Sequence, residues 1–156
     1  MPIRKIKLMD KVRTPKNIFV QGAISPEKIA NSIANHSTKT EIGGHSIFLG
    51  QVRADQKEKG EVVAIEYTAY EEMALQKAFE IREAVFAKYP LTCMHIYHSL
   101  GQVKVGEICL FVFTSSKHRK AAIDACSELV ERIKAELPVW GKEILDSEEH
   151  VWKKNS

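Results

Sequence analysis

The spacing of apolar positions changes several times along the chain, and each change marks an element. In "SPEKIANSIANH", residues 25–36, Ile29, Ala30, Ile33 and Ala34 fall on one helical face, with Ser25 placed as N-cap and Pro26 at the first helical position. "EEMALQKAFEIREAVFAKY" has the same amphipathic character and is stopped by Pro90. The third helical run is "KHRKAAIDACSELVERIKAEL", with Ala122, Ile123, Cys126, Leu129, Val130 and Ile133 at helical spacing. Between these runs lie β-branched and aromatic stretches that read as strands: "NIFVQGAI", "GGHSIFLGQVR", "VVAIEYTAY", "TCMHIYHSL" and "EICLFVFTS". Gly50 inside the second suggests a bulge or a close backbone approach. "ADQKEKGE" reads as a polar loop and "GQVKVG" as a bent, hairpin-like connection. Strands sit in adjacent pairs rather than in strict alternation with helices, which favours an α+β fold over a doubly wound sheet. No internal repeat or second domain is visible.

Charge changes the picture at one end. Residues 1–16 hold six Lys/Arg and one Asp, so the remaining 140 residues of this chain of net charge +3 sum to −2. We therefore expect a basic, solvated tail over 1–16 and a domain over 17–156 that is not a nucleic-acid binder by charge. No apolar run is long enough for a membrane span and no signal-peptide core is seen, so the expected location is cytoplasmic, with no membrane partner. Cys93, Cys109 and Cys126 are too widely spaced for a CxxC motif and sit among apolar residues, as buried thiols do. His95 and His98, three apart on a strand, face opposite sides and make a poor shared metal site.

Three places could carry chemistry. "TSSKHRKAA" sets cations at the start of a helix, where the dipole favours anions; His118 and Arg119 fit an anion site there, and a solvated basic turn fits as well. Arg53 sits where an apolar strand meets a polar loop and can reach a ligand beyond the sheet edge. In "KAELPVWGKE", Lys134 occupies the last helical turn, Pro138 ends the helix, and Trp140 offers an apolar wall against which a lysine would lose hydration. His118 and Lys134 are sixteen residues apart, about 24 Å along an unbroken helix. If both ends serve one small ligand, the chain must pair as a symmetric dimer with composite sites.

Together "FLGQVR", "YEEMA", "VGE", "SSKHRKAA" and "LPVWGKE...W" resemble the large, catalytic subunit of molybdopterin synthase, from about residue 18 to Trp152. The resemblance implies a hammerhead-like α+β fold, a central homodimer within a heterotetramer, and a small ubiquitin-like partner bearing sulfur as a C-terminal Gly-Gly thiocarboxylate. It implies two successive sulfur transfers to cyclic pyranopterin monophosphate; no cysteine is needed, because the sulfur arrives on the partner, and no cofactor or metal is expected. By position, Phe48 and Arg53 match residues near the substrate, His118 and Arg119 the anion-binding pair, and Lys134 the lysine beside the thiocarboxylate. The family places a second lysine directly after the tryptophan. Here that position is Gly141, and the expectation is that a local twist lets Lys142 substitute. A basic residue after the final Trp would have to be Lys153 or Lys154. Three other readings remain: a module that binds the tail or a phosphorylated small molecule without turnover, a persulfide sulfurtransferase, and a nucleic-acid binder acting through the tail.

Overall fold

The computed structural model of the chain describes residues 15–147 and 150–152. The expected basic tail lies outside the described residues apart from positions 15 and 16, and so do Lys153 and Lys154. The elements run β1 (Phe19–Gln21), α1 (Pro26–Asn35), β2 (Gly44–Gln51), β3 (Gln56–Lys57), β4 (Gly60–Ala69), α2 (Glu71–Lys88), β5 (Cys93–Lys104), β6 (Ile108–Ser116), α3 (Arg119–Glu136), β7 (Val139–Leu145) and β8 (His150–Trp152). The result is the α+β fold expected from the pattern of apolar positions. No helix among the described residues is long and apolar enough to cross a membrane.

The sheet runs β2-β6-β5-β4-β7-β8, with β1 beside β5 and β3 beside β4. Every pairing is antiparallel except β1 with β5. Strand β5 joins two halves. Cys93–His98 pairs with β6, and Gly101–Lys104 pairs with β4. Gly101, at φ +80°, stands where the strand changes partner, a conformation that side chains with a Cβ rarely adopt. "GQVK" is therefore strand rather than connection, and the turn is confined to the residues after Lys104. The bulge expected at Gly50 is present, as a register shift between Gly50 and Gln51.

The alternation of β6 divides the interior in two. Leu110 and Val112 face the main core, with Ala78, Ile81 and Val85 of α2 and Leu129 and Ile133 of α3. Phe111 and Phe113 face the other side, where they form a smaller core with Ile24 and with Ile29 of α1. Helix α1 begins as its sequence requires: the Ser25 side chain accepts from the Lys28 backbone N–H, with Pro26 at the first position. Helix α2 ends at Lys88, and Tyr89 is extended, as the residue before a proline must be. Helix α3 is continuous from Arg119 to Glu136.

Candidate functional site

The two ends of α3 each open on a cavity. At its C-terminal end a small one of about 80 Å³ is lined by Gln51, Tyr67, His98, Cys109, Lys134 and Gly141, with Leu137 and Val139 completing its apolar wall. Lys134 reaches it from the last helical turn, Tyr67 and Gly141 from paired positions on β4 and β7, and His98 and Cys109 from β5 and β6. The Tyr67 hydroxyl is held well above the usual phenol range, first by burial and then by its hydrogen bond to Cys109 and the nearness of Glu143. It therefore stays protonated and can act as a donor. The Cys109 thiol donates to the Gly50 carbonyl at 3.4 Å. His98 turns its Nδ1–H to the Ser99 carbonyl at 2.8 Å and meets the Tyr67 ring edge-on at 5.2 Å.

Lys142 is not brought to this cavity. Residue 141 does not carry a positive φ, and β7 runs straight through it, pairing Tyr67 with Gly141 and Glu66 with Lys142. Neighbouring strand residues face opposite sides. The expected twist is absent, and the Lys142 Nζ stands 3.8 Å from Glu66 Oε1 on the reverse face. Trp140 is likewise displaced: its ring packs edge-on against Tyr70 at 4.9 Å instead of walling Lys134. The wall expected from Trp140 is supplied by Tyr67, Leu137 and Val139.

The space that a side chain at 141 would need is already filled. A Cβ there would lie 2.9 Å from Ile65 Cγ2 and 3.2 Å from Tyr67 Cε1. Glycine at 141 and the inward tyrosine at 67 are thus one arrangement.

At the N-terminal end of α3, a wider cavity of about 560 Å³ is lined by Gly43, Lys117, His118, Arg119, Lys120 and Asp124. His118 is the N-cap residue, and its side chain makes no capping bond. Gly43 and Gly44 let β2 press against this turn: a Cβ at 43 would strike the Lys117 carbonyl, and one at 44 would lie 3.2 Å from Arg119 Cα. The Ser116 hydroxyl accepts from the Ala122 N–H at 3.0 Å and donates to the His118 carbonyl, so it sits inside the first helical turn. His118 and Arg119 are therefore side by side, as the sequence suggested. Phe48 and Arg53 lie elsewhere on and after β2. Phe48 packs against the main core beside Gly50, and Arg53 is exposed and paired with Asp55 at 3.3 Å. Neither lines this cavity.

Sequence reasoning missed Tyr67, His98 and Cys109 as neighbours of Lys134. The available signal was indirect: Tyr67 is an aromatic residue at an inward position of a strand. All three cysteines are buried free thiols. That of Cys126 is pushed up, chiefly by burial.

These features describe an α+β protein with an anion-suited helix start and a lysine-lined cavity at the far end of the same helix. Comparison with known proteins makes the assignment specific. A family model described as "MoaE protein" matches residues 20–136. The molybdopterin synthase catalytic subunit of Pyrococcus abyssi is 34% identical over 88% of this chain and 86% of its own length. That of Drosophila grimshawi is 36% identical over 80% of this chain, which spans only 35% of the longer relative. Molybdopterin synthase from Staphylococcus aureus, a crystal structure, superposes with a TM-score of 0.77 at 30% identity, covering 89% of this chain and 98% of that one. A complex of subunits 1 and 2 of the molybdopterin-converting factor from Helicobacter pylori shares the fold, with a TM-score of 0.73 at 18% identity over 87% of this chain and 88% of that one. The chain belongs to the MoaE family and is an enzyme of the molybdopterin synthase catalytic-subunit type, in molybdenum-cofactor biosynthesis.

Proposed function

We propose that the chain transfers sulfur from the C-terminal thiocarboxylate of a small ubiquitin-like carrier to cyclic pyranopterin monophosphate, building the dithiolene of molybdopterin. The observation that carries this reading is Lys134 lining a cavity of only about 80 Å³. A space so narrow suits the extended, side-chain-free end of a Gly-Gly tail and excludes bulkier chain ends. The Helicobacter pylori complex of two converting-factor subunits supports a small partner for this chain too.

Both reactants are anionic, so the protein's first task is to bring like charges together. His118 and Arg119 grip the phosphate at the helix start, where unpaired backbone N–H groups and the dipole add to their charge. Phe48, on β2, and Arg53, just beyond it, lie outside the cavity there and are placed near the pterin by the family resemblance alone. At the other end the Lys134 ammonium faces the thiocarboxylate. In each transfer the thiocarboxylate sulfur bonds to a pterin side-chain carbon as that carbon's bond to oxygen breaks. The oxygen leaves with the opened cyclic phosphate in one transfer and as water in the other. Water then attacks the acyl carbon, and the acyl–sulfur bond breaks to leave the carrier as a carboxylate. Lys134 stabilises the negative charge that develops on the acyl oxygen, with the Tyr67 hydroxyl as a second donor. Lys142 faces Glu66 across 3.8 Å on the reverse side of the sheet and takes no part.

The test is single-turnover conversion of the cyclic precursor with a thiocarboxylated small subunit. Loss of the donor should slow Lys134→Ala by about 10²-fold or more, while Lys142→Ala keeps the native rate. Collapse of Lys142→Ala with Lys134→Ala unaffected would overturn the assignment of the two lysines. A native chain that binds the carrier without turnover would leave a binding module instead.

A further inference from the structure

On the α1 side of the sheet, away from the Lys134 cavity, three ligand-bearing side chains converge. His36 ends α1, and Cys93 and His95 open β5, two residues apart and therefore on one face. Their ligand atoms, two ring nitrogens and one sulfur, all lie within 4.8 Å of one another. The closest approach is between His36 Nε2 and His95 Nε2, at 3.0 Å. A tetrahedral ion with bonds of about 2.0 Å to nitrogen and about 2.3 Å to sulfur needs nitrogens about 3.3 Å apart and nitrogen to sulfur about 3.5 Å. The imidazoles are already at that spacing, and a small rotation of Cys93 brings in the sulfur.

We propose that His36, Cys93 and His95 form a binding site for a thiophilic ion, zinc(II) being the ion of choice, that clips the end of α1 to the start of β5.

The second coordination layer supports this assignment. His36 is buried, and its Nδ1 lies 2.6 Å from the Ser32 carbonyl oxygen, which can only accept. Nδ1 therefore carries the hydrogen and Nε2 turns its lone pair to the centre, the arrangement metal-bound histidines use. Without an ion, His95 must present an Nε2–H to His36; with one, that hydrogen moves to Nδ1. The Cys93 thiol releases its proton to solvent as the sulfur–metal bond forms, leaving a fourth position for water. His45 stands beside the group, its ring 6.0 Å from that of His36.

Lys39 is the competitor. Its Nζ donates to Cys93 Sγ at 2.8 Å, and the residue is otherwise exposed, so it can swing away. Cys93 pairs with Ser115, next to the Ser116 that bridges the first turn of α3. The clip therefore steadies the strand that carries the anion cavity without entering that cavity.

The full chain, stripped of metal by chelator and dialysis, is titrated anaerobically with Co²⁺ and then with Zn²⁺. One Co²⁺ per chain should bind, with a thiolate-to-cobalt charge-transfer band and the visible bands of a tetrahedral ion, and Zn²⁺ should displace it. Cys93→Ser abolishes the charge-transfer band, and Cys126→Ser retains it. Folded His36→Gln and His95→Gln bind about tenfold or more weakly. Lys39→Met, a change at an exposed position that leaves the core intact, tightens binding by removing the ammonium that shares the sulfur. A charge-transfer band that survives Cys93→Ser, no saturable binding, or Lys39→Met binding no tighter than the native chain overturns the site.

Discussion

Gly141 decides which lysine reaches the cavity at the end of α3. In a regular strand its neighbour Lys142 must face away, and nothing at 141 itself can reach inward because the Tyr67 ring occupies that volume. Restoring the lysine that the resemblance implies at this position therefore requires more than one change. Gly141→Lys alone drives its Cβ into Ile65 and Tyr67, and overpacking of this kind costs about 1–3 kcal/mol. Denaturant unfolding should show that loss, and single-turnover rates should show no gain. A stable Gly141→Lys chain with faster sulfur transfer would mean that Tyr67 yields easily and that the cavity is wider in solution. Lys134 differs in that the last helical turn delivers it, so its position depends on α3 rather than on the strand.

Among the elements, the start of α3 is held by side chains of the strand before it. The Ser116 hydroxyl stands between the Ala122 N–H and the His118 carbonyl, and Thr114 Oγ1 donates to the Ala122 carbonyl at 2.7 Å. Ser116→Ala leaves a buried N–H without its acceptor, at about 1–3 kcal/mol. Its unfolding free energy should fall by that amount, lowering the denaturant midpoint, and phosphate affinity should fall with it as His118 and Arg119 lose their fixed geometry. An unchanged midpoint would show that the first turn closes on itself without the hydroxyl. This region was readable in the sequence because helix α3 announces itself by spacing and its cations stand in a row. The same reading recovered α1, α2 and the bulge at Gly50. It missed β7, whose "VWGKEIL" mixes glycine, lysine and glutamate on a strand carrying a buried Glu143 and an exposed Trp140. It also read "GQVK" as a bend, because Gly101 marks a change of strand partner rather than the end of the strand. Lys142 was misplaced for a related reason: freedom at glycine was taken as a twist, whereas the pairing partner on β4 keeps the strand regular. The grouping of Tyr67, His98 and Cys109, like that of His36 with Cys93 and His95, depends on strand neighbours and helix docking far apart in the chain. Local pattern contains no trace of such contacts.

At the scale of the whole molecule, if both ends of the unbroken α3 serve one small ligand, the helix sets a constraint that a single copy does not meet. Its two cavities open at residues 117–120 and at residue 134, about 24 Å apart along the helix, farther than one small phosphorylated ligand extends. A symmetric pair that sets the helix start of one copy against the helix end of the other solves this, and each dimer then holds two composite sites. Complementation separates this arrangement from a single-copy site. Arg119→Ala and Lys134→Ala homodimers should each be nearly inactive. When the two are unfolded together and refolded as a mixture, every mixed dimer contains one site with both residues native and one with neither. With half of the dimers mixed, activity should return to about one quarter of the native value. If each site lay within one copy, no mixed dimer would contain an intact one, and the mixture would stay as inactive as its parents.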